Sequence, residues 1–201
     1  MPALEIPHDV RPALGHVNLM VDTYIANAGV DDLRATLRSL LATNPPSLAT
    51  DFTAKARHHL RQSSSRHPPA NLFTNSCSEG RAAPTTELDA TLARVRSLYG
   101  AGMGFESLSI LSSVVRATIG TRWEENDDMA QILAAIDTDI SQAIQSSREE
   151  IGGGRVSDLA AARGTIEILR SAVRESFVDV EAWGGEFPFE RASASLEFWK
   201  L

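Results

Sequence analysis

Asn126–Ile151, NDDMAQILAAIDTDISQAIQSSREEI, is the longest strongly periodic run in the chain and decides the fold class. Met129, Ile132, Leu133, Ile136, Ile140, Ala143, Ile144 and Ile151 recur at the three- and four-residue spacing that lines one face of an α-helix. Asn126 is the expected N-cap, because its side chain can accept from an orphan amide of the first turn. Asp127 and Asp128 follow where the helix dipole favours negative charge. Gly152–Gly154 end the helix by tolerating left-handed backbone. The run carries no recognisable chemistry, and the rest of the chain is expected to pack around it.

Toward the C-terminus, Ser157 is the expected cap of another long helix, with Leu159, Ile166, Leu169, Val173, Phe177 and Val180 as its stripe. Gly164 inside it costs about 1 kcal/mol of helix propensity. A close helix crossing at Ala160, Ala161 and Gly164 would account for that cost. The tail then gathers six of the twelve aromatic residues, Phe177, Trp183, Phe187, Phe189, Phe198 and Trp199, into the last 25 positions. Gly184-Gly185 and Pro188 turn the chain, and Ala192–Trp199 reads as a short final helix.

Toward the N-terminus, Phe105, Leu108, Leu111, Val114, Val115 and Ile119 share a face. Glu106 and Arg116 are the only charges between Phe105 and Ile119. A helix so poor in charge reads as covered on several sides, either as a central helix or at a subunit interface. Before it, Thr86-Glu87-Leu88-Asp89 fits a capping box, followed by the stripe Leu88, Leu92, Val95 and Tyr99. Gln62–Pro84 has no period and reads as a linker or a long surface loop, with Leu72 and Phe73 able to pin its middle to a core.

Three further helical units precede it. The first, within His8–Asn27, has Asp9 and Pro12 at its start and Val10, Leu14, Val17, Val21, Tyr24 and Ile25 on one face. The second is capped by Asp31 or Asp32 and carries Leu33, Leu37, Leu40 and Leu41 until Asn44-Pro45-Pro46 stops it. The third is capped by Ser47 and carries Leu48, Phe52, Ala56 and Leu60. The expected architecture is therefore all-α, a bundle of seven to eight helices in a single domain over 1–201. It comprises an N-terminal three-helix unit (1–61), a loop or linker (62–85) and a C-terminal bundle (86–201).

Composition narrows the function classes. The chain has 201 residues, of which 43% are hydrophobic and 22% charged, ordinary for a globular protein. One cysteine, Cys77, leaves no internal disulfide framework and no multi-cysteine zinc site. MPALEIPHDVRP does not read as a signal peptide, and no apolar run approaches the roughly 20 residues of a membrane span. These features point to an intracellular location, cytoplasmic or nuclear. Residues 1–70 hold seven Lys/Arg against six Asp/Glu, while residues 71–201 hold twelve against twenty, a net of −8. So acidic a body repels a phosphate backbone and argues against general nucleic-acid binding.

The candidate sites are few. Gly100-Ala101-Gly102-Met103-Gly104 has Phe105 where a dinucleotide fingerprint needs its third glycine, and it follows a helix rather than a strand; it reads as an interhelical turn. Glu124, Glu125, Asp127, Asp128, Asp137 and Asp139 lack EF-hand spacing and a Glu-x-x-His pair, so they read as helix caps and a solvated face. No metal, no cofactor and no catalytic group is expected. His8-Asp9 lacks the upstream histidine of metal-dependent phosphohydrolases, His16 reads as exposed, and Cys77 has no base at a telling spacing. Lys55, Arg57, His58, His59, Arg61, Arg66 and His67 form a basic patch, with no acid between Asp51 and Glu79. It can hold an anionic group or an acidic partner segment, and part of it complements a helix C-terminus. Trp183, Phe187, Phe189 and Trp199 are candidate interface anchors, with core closure as the competing role.

The sequence therefore points first to a non-enzymatic helical protein that works by protein–protein contact or self-association. A small-molecule-binding protein or enzyme is the alternative, with an interhelical pocket that recognises an anionic ligand through the patch around 55–67.

Overall fold

Helical periodicity becomes helix across most of the chain. A computed structural model describes residues 19–63, 71–75, 82–124 and 127–199. These form eight helices: α1 (Leu19–Asn27), α2 (Val30–Thr43), α3 (Pro46–Gln62), α4 (Thr86–Gly100), α5 (Gly104–Ala117), α6 (Asp128–Gly152), α7 (Leu159–Trp183) and α8 (Glu190–Glu197). The architecture is an all-α bundle. One short hairpin interrupts it, β1 (Phe73–Asn75) and β2 (Ala82–Pro84), which pair antiparallel with Thr74 opposite Ala83. No strand is expected from the sequence, because three residues a side are too few for an alternation to show. Leu72 is buried as anticipated, and so is Ala82, whose N–H donates to the Arg122 carbonyl at 2.9 Å.

Several helix starts differ from expectation by one residue. Asp127 rather than Asn126 caps α6, accepting from Ala130 N at 2.8 Å and from Glu124 N at 3.0 Å. Aspartate brings two acceptor oxygens to that task; Asn126 itself lies outside the described residues. Asp158 rather than Ser157 caps α7, taking the amides of Ala160 and Ala161 at 2.9 Å each. Thr85 rather than Thr86 caps α4: its Oγ1 accepts from Leu88 N at 3.3 Å and donates to the Leu72 carbonyl at 3.0 Å, so the cap is tied to the residue that precedes β1. Neither Asp31 nor Asp32 caps α2; Gly29 holds that position with no side-chain bond, and Asp31 pairs with Arg34 at 3.0 Å. Pro46 opens α3, placing Ser47 inside the first turn, because the fixed φ of proline suits the first helical position.

The core of residues 51–201 is built on α5 and α6. The expected stripe of α6 is buried at Met129, Leu133, Ile136, Ile140, Ala143 and Ile144, with Ile132 and Ile151 half-buried. Helix α5 packs against α4, α6 and α7, so the charge-poor segment is the central helix rather than an outer face. Its two buried serines, Ser107 and Ser112, lose no hydrogen bond. Ser107 Oγ donates to the Gly104 carbonyl at 2.7 Å and Ser112 Oγ to that of Leu108 at 2.8 Å.

The close helix crossing lies elsewhere than expected. Ala160, Ala161 and Gly164 are exposed, and a Cβ added at Gly164 would meet open space. The tight approach is at Gly104, where an added Cβ would lie 2.7 Å from Ser147 Cα. Glycine is therefore required where α5 starts against α6. In α7, Ile166, Leu169, Val173 and Val180 are buried, but Leu159 and Phe177 are exposed.

The chain divides into two compact units, 1–50 and 51–201, with the division inside α3. The C-terminal half of α3 belongs to the larger unit. Arg57 Nη1 donates to the Ala101 carbonyl at 3.1 Å, and Arg94 donates to the Leu60 carbonyl. In the smaller unit, Tyr24 Oη and Thr36 Oγ1 bridge α1 and α2 at 3.0 Å. From Met20 to Ser63 no side chain is buried. The first predicted stripe begins at Val10, Leu14 and Val17, which lie outside the described residues with His8, Asp9, Pro12 and His16.

Candidate functional site

Three carboxylates of α6 form the most unusual polar feature. The sequence reading of Asp137 and Asp139 as a solvated face does not hold: both are buried, as is Glu150. They do point to different sides of the helix, as their spacing requires, and each finds a different partner.

Helices α5 and α8 begin at Met103 and Phe189, residues with no side chain able to cap. Helix α6 supplies the missing acceptors. Asp137 takes the α8 amides of Ala192 at 2.9 Å and Arg191 at 3.3 Å. Glu150 takes the α5 amide of Phe105 at 3.4 Å. Two helix N-termini are thus capped in trans by one long helix, which satisfies their orphan donors and complements their dipoles. Burial pushes the Asp137 carboxyl above its usual range, against the pull of the two amides. Burial, and then the nearby Glu106, push Glu150 the same way.

Asp139 holds the third arrangement. Arg96 meets it in bidentate fashion, Nη2 to Oδ2 at 2.8 Å and Nε to Oδ1 at 3.1 Å, and Tyr99 Oη donates to Oδ1 at 3.0 Å. The hydrogen bond to Asp139 raises Arg96 further above neutrality. Burial, reinforced by Asp139, raises the Tyr99 phenol, so it remains a donor. This network ties α4 to α6.

A raised carboxyl in a cleft is the usual mark of acid–base chemistry. Asp137 does line a cleft of about 750 Å³, with Trp123, Gln131, Trp183, Phe187 and Arg191. Each of its oxygens, however, accepts from a backbone amide of α8, so it holds the start of that helix. Among the described residues no group of three His, Cys, Asp or Glu side chains is placed to hold a metal ion.

The basic patch is dispersed rather than convergent. Arg57 is held on the Ala101 carbonyl, Arg61 lies 4.0 Å from Glu106, and His58 Nε2 lies 3.0 Å from Gln62 Nε2. Lys55 and His59, one turn apart, are exposed on the side of α3 away from Arg57 and Arg61. Arg66 and His67 lie outside the described residues, as does Cys77. Arg57 and Arg155 do approach one another at Gly102, whose left-handed φ of +74° makes the α4–α5 turn. The glycine-rich run is thus an interhelical turn.

The aromatic tail closes the core. Phe189 is fully buried and Trp199 nearly so, while Trp183 and Phe187 are half-buried. Trp123 meets Trp183 edge-to-face at 5.1 Å, and Phe187 meets Phe177 and Phe189 in the same manner at 5.1 and 5.9 Å. Arg122, paired with Asp179 at 3.1 Å, lies over the Trp183 ring. Of the four anchors suggested by sequence, Phe189 and Trp199 are committed to the interior. Phe198, not among the four, is the most exposed aromatic of the tail.

Sequence reasoning passed over Asp137 and Glu150 as caps. Their signal was indirect: two helices open on Met103 and Phe189, with no Ser, Thr, Asp or Asn to serve them.

No protein-family model matches the chain, and no curated protein or solved structure matches it. Among the described residues no helix is long and apolar enough to cross a membrane.

Proposed function

We propose that this is a non-enzymatic helical protein that works by protein–protein contact or self-association, through the apolar residues of its N-terminal helices. The observation that carries this reading is the exposure of α1 and α2. Met20 is 80% exposed, Val30 62% and Ile25 56%, and Val21, Tyr24 and Leu40 are also open to solvent. A helical unit that buries none of its described side chains lacks the usual source of helix stability, which is packing of the amphipathic face. Contiguous apolar surface of this kind marks a binding site in soluble proteins.

Light scattering on the whole chain tests the self-association form. A concentration-dependent mass above the 21.7 kDa of one chain is expected. A double substitution, Val21→Asp with Ile25→Asp, returns it to monomer while leaving helix content of the larger unit intact. A strict monomer at every soluble concentration, unchanged by that pair, removes self-association. Chemical cross-linking through α1 to a purified partner then decides the remaining form.

A further inference from the structure

The turn between α4 and α5 brings together two arginines that lie far apart in the sequence, Arg57 from α3 and Arg155 from the residues that follow α6. A Cβ built at Gly102 would lie 3.3 Å from Arg155 Nη2 and 3.7 Å from Arg57 Nη1, so both guanidinium groups border one small space. Local structure holds each of them there. Arg57 Nη1 donates to the Ala101 carbonyl at 3.1 Å. Arg155 N donates to the Glu150 carbonyl at 3.0 Å, closing the turn after α6, in which Gly154 takes a φ of +65°. The Arg155 guanidinium then folds back over Gly153, where an added Cβ would collide with Nη1.

Like charges held this close repel unless something neutralises them. Among the described residues no carboxylate lies within salt-bridge distance of either guanidinium. Glu150 feels the Arg155 charge, but its carboxylate takes the Phe105 amide at the start of α5. Glu106 lies beside Arg61 at 4.0 Å. What faces the pair is the C-termini of α4 and α6, whose caps are Ala101 and Gly153. Each terminus supplies about half a unit of negative charge, which leaves about one positive charge of the pair over. Donors are in excess as well. A guanidinium carries five N–H groups. Among the described residues Arg57 commits one nitrogen, to the Ala101 carbonyl, and the Arg155 side chain none.

We propose that Arg57 and Arg155 form an oxyanion site over Gly102 that takes the phosphate group of a phosphate monoester. Two planar forks bordering one space match the several oxygens of a phosphate dianion, whereas a carboxylate is satisfied by one fork. Glycine at 102 leaves the space open, and glycine at 153 leaves room for the Arg155 guanidinium. Arg155 is exposed and Arg57 half-buried, so the phosphate enters from solvent. The site is independent of α1 and α2, and it needs only one residue of the basic stretch 55–67.

Isothermal titration calorimetry on the full chain provides the test. The probes are inorganic phosphate, acetate, and a phosphoserine peptide beside its serine counterpart. Phosphate is expected to bind saturably and more tightly than acetate. Arg155→Gln should weaken phosphate about ten- to a hundredfold, the scale of a lost charge-assisted hydrogen bond; circular dichroism verifies the fold. Gly153→Ala keeps every charge but displaces the guanidinium, and it should weaken phosphate severalfold. Lys55→Gln removes the same charge from the other side of α3 and should leave binding unchanged. A phosphoserine peptide that binds more tightly than phosphate, with its serine counterpart silent, makes a phosphorylated protein the source of the group. Equal affinity makes the source a small phosphate ester. No saturable binding of phosphate, acetate binding as tightly as phosphate, or indifference to Arg155→Gln or to Gly153→Ala overturns the proposal. So does a loss in Lys55→Gln equal to that in Arg155→Gln, which would mean diffuse attraction to a basic surface.

Discussion

Helices α1–α2 and helices α5–α6 are written in the same hydrophobic code and end in opposite environments. In α6, Leu133, Ile136 and Ile140 have no exposed surface. In α1, Val21, Tyr24 and Ile25 follow the same helical spacing and all are open to solvent. Periodicity states that a face is fit for burial. It does not state what buries it. The larger unit completes the α6 stripe internally, and α5 has α4, α6 and α7 around it. Among its described residues the smaller unit has a helical face and no buried side chain, and that asymmetry is what the proposed contact surface rests on.

The comparison breaks most visibly at the core. Leu133→Ala should destabilise the larger unit by about 2–5 kcal/mol, the range for emptying a fully buried leucine site, read as a shift in the urea midpoint. A loss of well under 1 kcal/mol would mean that the α5–α6 core is loosely packed, and the contrast with α1 would lose its force. Gly104→Ala comes next, at about 1–3 kcal/mol for forced overpacking, because the added methyl meets the backbone of Ser147. Gly164→Ala, in open space on α7, should instead stabilise by up to about 1 kcal/mol through helix propensity. If the two glycines respond alike, the crossing has been misplaced.

The glycine pair also shows what a sequence can and cannot state. Gly104 and Gly164 are both glycines at or inside helices, and a close crossing is a fair reading of either. Only the packing order distinguishes them, and that order is set by tertiary fit rather than by local pattern. The caps teach the same lesson at shorter range. Asn126-Asp127, Ser157-Asp158 and Thr85-Thr86 each offer two suitable residues side by side. The helix existed in every case, and the chosen cap was the one whose oxygens reached the first-turn amides. The buried carboxylates lay furthest from view. Asp137 and Arg191 are 54 positions apart and Glu150 and Phe105 45 apart. No spacing rule reaches that far. The candidate site suffered likewise: Arg57 and Arg61 are neighbours on α3, yet the Ala101 carbonyl and Glu106 engage them separately.

The trans-caps give a prediction of intermediate size. Asp137→Ala should cost about 1–2 kcal/mol, the scale of a lost N-cap. The loss should appear locally, as faster amide exchange at Arg191 and Ala192. The sign of the pH dependence follows from the raised carboxyl. Between the ordinary aspartate range and the higher folded value, the folded chain binds a proton that the unfolded chain has released. Stability contributed by this group is therefore complete at acid pH and is lost as pH rises through the folded value. Asp137→Asn should flatten that decline when urea midpoints are compared from about pH 4 to pH 7. Glu150→Gln should act in the same direction, since its carboxyl is raised as well. A variant whose stability falls more steeply with rising pH than the parent would contradict both assignments.

The smallest effect is the most informative about function. Ile25→Ala removes as many carbon atoms from α1 as Leu133→Ala removes from α6, but its site is already in water. Its cost to the stability of the isolated chain should stay within about 0.5 kcal/mol, as for surface substitutions generally. The backbone amides of α1 and α2 should exchange faster than those of α5 and α6, because few buried apolar contacts hold them closed. Adding the partner, or raising the concentration if the partner is a second copy, should slow exchange in α1 and leave α5 unchanged. The same Ile25→Ala substitution should then become costly, measured as lost binding rather than lost folding. If instead Ile25→Ala destabilises the free chain as Leu133→Ala does, the α1 face is covered within the molecule itself and has no partner to seek.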